Sequence, residues 1–575
     1  MSKLLREISK YRIAIFIVLV FTFFRAFSEL YLPNIMSDIV DVGIVQDNKS
    51  YMLQLGGWML LVAAFGALCS VLTSYYSAKI AAGFGRDIRG KMFKKVESFG
   101  LEEVNSIGTA SLINRTTNDI NQVQQVTIMM LRMVIFAPMM CIGGIIMAVS
   151  KNAILSSIFL VAIPVLALVI VLIIKKGIPL FKVLQKKLDQ VNSVFRENLT
   201  GMRVIRSFNK EKFEQERFYR ANKDLTETAL RVNKIMAVTM PIMMVVLNIS
   251  TIAIVWFGGI QVEEGTMQVG DIMAFIQYGM QIMFSLMMVS MIFVMMPRAS
   301  ASADRINEVL EMPLSIQDLK QGVHKKPVKG EIEFRNVVFS YPGAEKPVLQ
   351  NVSFRIKAGE TTAIIGGTGS GKSTILHLMT RFYDANSGEI FIDGRNIKEY
   401  AQSDLRKEMG FVPQKAVLFS GTIAENIRFG KEDATELEIE EALQIAQAKE
   451  FVEKLDKGIQ APISQGGSNV SGGQKQRLSI ARALIRKPLL SFFDDSFSAL
   501  DYKTDAALRK ALKQHMKDKT MIIVAQRVST IKDADQIIVL EDGKITGTGT
   551  HQELVETCDV YKEIVYSQGV MEESV

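Results

Sequence analysis

Only three cysteines occur in the 575 residues, Cys69, Cys141 and Cys558, and neither a disulfide framework nor a metal-ligand spacing can be built from them. That scarcity suits a chain whose soluble part faces a reducing cytosol. Histidine is nearly as rare, with four residues: His324, His377, His515 and His551. No small-residue cleavage site follows the first apolar stretch, and polar residues continue it, so it is not expected to be removed as a signal peptide. Lysine and arginine are almost missing from the short connections between apolar stretches, which leaves a charge asymmetry to explain.

Apolar residues, by contrast, are abundant. They make up 49% of the chain and the mean hydropathy is positive, a membrane composition rather than that of several soluble domains. Six stretches, roughly 12–36, 53–82, 126–150, 152–174, 236–260 and 269–297, can each cross a ~30 Å hydrocarbon core at ~1.5 Å per residue. The segment 175–235 carries 15 Lys and Arg, 83–125 carries six, and 1–12 carries four. Under the positive-inside rule the N-terminus, both long loops and everything after the sixth span, including the C-terminus, are expected in the cytoplasm. The net charge of +8 has the same origin, and because it lies beside the spans the expected contact is the lipid bilayer and not a nucleic acid. Helical periodicity persists in the long loops, as at Leu184, Leu188, Val191 and Phe195, so the spans are expected to continue as helices beyond the membrane.

Residues 313–330, with Pro313, Gly322, Pro327 and Gly330 among polar residues, read as a linker. Beyond it, 361–365 reads as a buried strand and 375–379 as the start of a helix. Between them stands Gly366-Gly367-Thr368-Gly369-Ser370-Gly371-Lys372-Ser373, followed by Thr374. The glycines let successive backbone N–H groups point into one concavity, Lys372 brings positive charge to the outer phosphates, and the Ser373 hydroxyl can ligate Mg²⁺. Strand, loop and helix in this order are what phosphate binding requires. Further on, the apolar strand 489–493 ends in Asp494, placed to orient Mg²⁺ through water. Ahead of it, the small-residue turn Ser471-Gly472-Gly473-Gln474 opens a helix over 475–485.

Together these motifs resemble the ATP-binding cassette (ABC) family, and the resemblance covers the whole chain. It implies Tyr341 as the adenine-stacking aromatic, Gln414 as the Q-loop glutamine grouped with Ser373 and Asp494 around the metal, Ser471 to Gln474 as the signature turn, and Ser498-Ala499-Leu500-Asp501 as the D-loop. The fold class implied is a membrane all-α domain of six helices with long cytoplasmic helical extensions (1–312), the linker, and an α/β P-loop ABC ATPase domain (331–575), with ATP and Mg²⁺ as cofactors. The segments 114–120 and 207–211 resemble the coupling helices of exporter-type members; plain helix–helix turns are the alternative.

Three positions depart from the family pattern. The residue after Asp494, normally a glutamate that aligns the attacking water, is Asp495; losing one methylene withdraws the carboxylate by about 1.5 Å, and misplacement of that order costs ~10²-fold in rate. Where members typically carry a histidine against the terminal phosphate stands Gln526, which forms hydrogen bonds but neither carries a positive charge nor relays a proton. None of the four histidines falls at that strand end. Before the signature, Ser464-Gln465-Gly466-Gly467 replaces a frequent Gly-Glu-Arg-Gly, as in the degenerate halves of heterodimeric exporters. Neutral drift in an active enzyme is the plain alternative.

In the family two cassettes sandwich two ATPs, each site joining the phosphate loop of one to the signature turn of the other. A chain with a weakened catalytic position and an intact signature is expected to pair with a homologous half-transporter that bears the glutamate and the histidine. The expected activity is ATP-driven export of amphipathic drugs across the cell membrane. A lipid or peptide exporter and a nucleotide-gated subunit that transports nothing are the rivals. Of 31 methionines, 19 fall in 126–150 and 236–296, either a flexible, polarizable lining or packing filler. Arg25 and Glu29, four apart, and Arg132 either line a pathway or serve structure. Asp38 and Asp41 belong either to an outer gate or to solvated surface.

Overall fold

The computed structural model describes residues 4, 6–318 and 326–569; Gly322 and His324 lie outside the described residues. The chain forms two compact units, one of Met1–Glu97 with Gly108–Met312, the other of Ser98–Ile107 with Pro313–Val575.

The first unit is helical. Among the described residues six segments are long and apolar enough to cross a membrane: Arg6–Ile44, Lys49–Glu97, Thr109–Lys151, Ser157–Thr200, Glu211–Glu263 and Val269–Val289. Large apolar side chains such as Leu60, Leu160 and Trp256 stand on their outer surfaces, which suits lipid better than water. Inside, Phe159, Ile254, Phe275 and Tyr278 share one buried cluster, with the rings of Phe159 and Phe275 stacked 6.2 Å apart. The third span is interrupted between helices Ile120–Met133 and Phe136–Lys151. Pro138 accounts for the break, since it has no N–H for the carbonyl of residue 134 and its ring crowds that carbonyl. The fourth begins later than its hydropathy indicates, at Ser157, because Asn152 organises a turn by accepting the Leu155 N–H at 2.9 Å.

Several charges within this unit have identified partners. Arg25 donates to Glu29 at 2.9 Å and lies over the Phe136 ring at 4.1 Å, while Arg132 donates to the Ser74 carbonyl at 3.1 Å. Asp41 is buried and accepts the Gly270 N–H at 2.6 Å. Nearby the Ser37 hydroxyl lies 2.9 Å from Asp271, which pairs with Lys151 at 2.9 Å. Asp41 therefore ties the first span to the sixth and is not a solvated surface group.

Residues 114–120, expected as a coupling helix, instead run within continuous helix: Thr109–Asn114, a π-helical turn Arg115–Asp119, then Ile120–Met133. Asp119 is held inside the first unit by Arg305 at 2.8 Å. The part of this loop that joins the second unit is the short helix Leu101–Ile107, set off by Gly108 at φ +82°, a left-handed conformation that glycine adopts freely. Asn105 donates to the Tyr383 hydroxyl at 3.1 Å, and Glu103 accepts the N–H groups of Gly100, at 2.8 Å, and Ser315. At the other turning point helix Met202–Ser207 passes through Asn209, at φ +51°, into Glu211–Glu263.

The second unit is α/β. Its strands in chain order are β1 (Ile332–Phe339), β2 (Leu349–Ile356), β3 (Thr361–Gly366), β4 (Ser387–Ile392), β5 (Arg395–Asn396), β6 (Met409–Val412), β7 (Gly421–Thr422), β8 (Pro462–Ile463), β9 (Leu490–Asp494), β10 (Thr520–Val524), β11 (Gln536–Glu541) and β12 (Lys544–Gly549). An antiparallel sheet has the order β2-β1-β4-β5, a six-stranded sheet the order β12-β11-β3-β10-β9-β6, and β7 pairs with β8. Within the larger sheet β11, β3, β10, β9 and β6 are parallel. All five residues of β9 and of β10 are buried, which explains why they read as largely apolar runs and not as alternations. Val524 of β10 stands opposite both Ile364 of β3 and Asp494 of β9. The carboxyl ends of three strands thus open at one edge, the usual place for a ligand in a parallel sheet.

Candidate nucleotide site

The phosphate loop leaves β3 at Gly366, where an added Cβ would collide with the Leu540 carbonyl, and turns through Gly371 at φ +102° into helix Lys372–Met379. At Gly367 and Gly369 an added Cβ would meet nothing within 4 Å, so the concave side is open. Lys372 folds back over the loop, donating to the carbonyls of Gly366 at 2.9 Å and Gly367 at 2.6 Å. Ser370 and Thr374 are buried beneath it, and Thr368 lies on the exposed crest. The Tyr341 hydroxyl meets Thr374 Oγ1 at 3.0 Å, and its ring stands edge-on to Phe339 and Tyr383 at 5.0 and 5.3 Å.

From the end of β9, Asp494 accepts the Ser373 hydroxyl at 2.8 Å. A hydroxyl and a carboxylate that converge so closely offer the hard oxygen donors that suit Mg²⁺. Asp495, the next residue, has φ +45° and is anchored by its N–H to the Val524 carbonyl at 2.9 Å. Its carboxylate accepts two side-chain amides, from Gln526 at 2.8 Å and from Gln414 at 3.4 Å. Two of the three departures from the family pattern therefore meet in one hydrogen bond.

Burial shapes the charges here. It lowers the Lys372 ammonium below its ordinary value, against the pull of Asp495 and Asp494. It raises Asp494, against the Ser373 hydrogen bond, and raises Asp495, against the Gln414 hydrogen bond.

Lys372, Ser373, Asp494, Asp495, Gln414 and Gln526 thus form one connected group. The signature turn does not join it. Ser471 caps helix Gly472–Leu484, its hydroxyl accepting the Gln474 N–H at 3.3 Å while Gln474 Oε1 accepts the Ser471 N–H at 2.9 Å. Gly473 backs onto the Ala499 carbonyl. Asp501 caps helix Tyr502–His515 by accepting the Thr504 N–H at 2.9 Å, which holds its carboxyl below the ordinary range. His377 sits among Phe382, Tyr383 and Phe411; His515 bonds Ala511 and His551 bonds Tyr561. Sequence reasoning missed Gln568, whose amide holds the backbone on both sides of Arg527. No local pattern marks it.

A phosphate loop, an aspartate that accepts the Ser373 hydroxyl and a capped small-residue turn at Ser471–Gln474, following six membrane-length helices among the described residues, define a P-loop ATPase fused to a membrane-spanning bundle. Residues 15–286 match the ABC transporter transmembrane region and residues 349–498 match the ABC transporter family. An uncharacterised ABC transporter ATP-binding protein of Mycobacterium tuberculosis, MT1311, is 40% identical over 574 residues, covering 99% of this chain and 98% of its own. The ATP-dependent lipid A-core flippase of Aliivibrio fischeri is 30% identical over 564 residues, covering 98% and 97%. A bacterial Atm1-family ABC exporter solved with ATP bound shares the fold, with a TM-score of 0.83, 23% identity, and coverage of 97% and 98%. The chain belongs to the ABC transporter family and is a half-transporter, a multi-pass membrane protein whose ATP-binding domain is fused to its membrane domain. Its cassette serves ATP-driven transport, normally with Mg²⁺.

Proposed function

We propose that this chain is the degenerate-site half of a heterodimeric ABC exporter. The observation that carries the reading is the 2.8 Å bond between Gln526 and Asp495. A carboxylate shortened by one methylene and held by a neutral amide is poorly placed to polarise water, and among the described residues no imidazole stands beside it to meet the terminal phosphate. Lys372, Ser373 and Asp494 retain what binding needs, so nucleotide stays at this site. The capped turn Ser471–Gln474 completes the partner's site across the interface, where most hydrolysis occurs. ATP binding closes the two cassettes and turns the cavity outward; hydrolysis at the partner's site resets it. The N-terminus, the C-terminus and the cassette face the cytoplasm. The decisive measurement is ATP turnover by this chain purified alone and with a homologous partner bearing glutamate and histidine. Turnover by the pure homodimer equal to that of the pair would refute the reading.

The substrate class we infer is amphipathic drugs, supported by the methionine-rich third, fifth and sixth spans. Lipid export is the second reading, favoured by the similarity to the lipid A-core flippase of Aliivibrio fischeri. ATP-dependent dye accumulation in inverted vesicles, against headgroup translocation of labelled lipid in liposomes, separates the two.

A further inference from the structure

We infer that Gln568, just past helix Asp559–Ser567 of the cassette, is a positioning residue for the terminal-phosphate contact of the ATP site. Its Nε2 donates to the Gln526 carbonyl at 2.8 Å, and its Oε1 accepts the Val528 N–H at 2.8 Å. One side chain therefore grips the main chain on both sides of Arg527 and satisfies both backbone groups. Val528 opens the short helix Val528–Ile531, so the same amide also caps that turn. Gln526 directs its own amide at Asp495 from the opposite end.

The grip has a rigid base. Helix Asp559–Ser567, which Gln568 terminates, is docked through buried Tyr561 and Val565, and the Tyr561 hydroxyl meets His551 Nδ1 at 2.7 Å. Gln568 is itself exposed and fills no core space. Its geometry serves the segment 526–528, which carries Gln526, the residue that stands where the resemblance implies the contact to the terminal phosphate. ADP lacks that phosphate, so loss of the grip acts on ATP and spares ADP.

The inference rests on the reading of the Lys372 loop as an ATP site and is tested in the full-length transporter in membranes. Half-labelling concentrations of 8-azido-ATP and 8-azido-ADP are measured on this chain. Gln568→Ala is expected to lower the ATP-over-ADP preference about fivefold, the scale of one net hydrogen bond, with unchanged thermal unfolding. Gln568→Glu is expected to do the same, because it sets an oxygen against the Gln526 carbonyl. In a Gln526→Ala background Gln568→Ala is expected to add nothing. An unchanged preference, an equal loss for both nucleotides, or a full effect in the Gln526→Ala background would each overturn the inference. Lys372→Ala separates the two levels: loss of both labels supports the ATP site, whereas labelling that persists overturns the site and the inference with it.

Discussion

Asp495→Glu combined with Gln526→His is the most informative perturbation of this chain. The Asp495 carboxylate is fixed by the amides of Gln526 and Gln414, at 2.8 and 3.4 Å, and its backbone is anchored to Val524. An added methylene advances the carboxylate by about 1.5 Å, which breaks the bond to residue 526. A displacement of about 1 Å is worth about 10²-fold in rate, or about 2.7 kcal/mol of barrier. Asp495 is buried, so the extra volume costs stability, about 1–3 kcal/mol if neighbours resist. Gln526 is exposed and accommodates an imidazole more readily. The assay is single-site ATP turnover in an assembled transporter whose partner has lost its own phosphate-loop lysine, alongside thermal unfolding. An increase of tenfold to a hundredfold is expected. A folded double variant that gains less than about threefold would refute the claim that these two positions limit hydrolysis.

Gly371→Ala forces a side chain into a left-handed turn and places Cβ about 2.7 Å from Leu349 Cδ2; a loss of about 1–3 kcal/mol is expected in thermal unfolding, together with loss of ATP binding. Burial of Glu103 works against its ionisation, yet the N–H groups of Ser315 and Gly100 hold its carboxyl below the ordinary 4.5. The folded value lies under the unfolded one, so the stabilisation is complete above about pH 4.5 and is lost as pH falls through the folded value. Glu103→Gln should flatten that acid limb of the unfolding profile. Ser373→Ala removes the hydroxyl that meets Asp494 and should raise the Mg²⁺ concentration needed for nucleotide retention about tenfold while sparing Mg²⁺-free binding. Pro138→Ala restores a donor for the carbonyl of residue 134 and should slow amide hydrogen exchange across 134–138.

Contiguity decided what could be read in the sequence. The phosphate loop holds its chemistry within eight consecutive residues, and buried parallel strands announce themselves as apolar runs, so the grouping of Lys372, Ser373 and Asp494 is legible in the sequence. Asp495 and Gln526 were legible for the same reason, each following the end of such a run. The segment Leu101–Ile107 was not, because a seven-residue helix has too few turns to display a period. The coupling-helix resemblance falls thirteen residues later, at 114–120, in helix that belongs to the membrane unit. Asp41 gave no sign of burial, since its partner is a backbone N–H 229 residues away. Gln568 is an ordinary polar residue on a terminal turn, 42 residues from the carbonyl it holds.

The contact between Asp495 and Gln526 bears on whether the two departures are drift. Independent drift at two sites would leave two separate defects, each repaired by a single reversion. Here the amide of one satisfies the carboxylate of the other, so either reversion alone disturbs a bond that the pair shares. Asp495→Glu alone drives a longer carboxylate past the Gln526 amide, and Gln526→His alone sets an imidazole beside a carboxylate that then holds it as a cation. Each single change should therefore recover much less than the square root of the double variant's gain in turnover. Recovery that multiplies evenly across the two positions would mean that they act separately, and would return drift to favour.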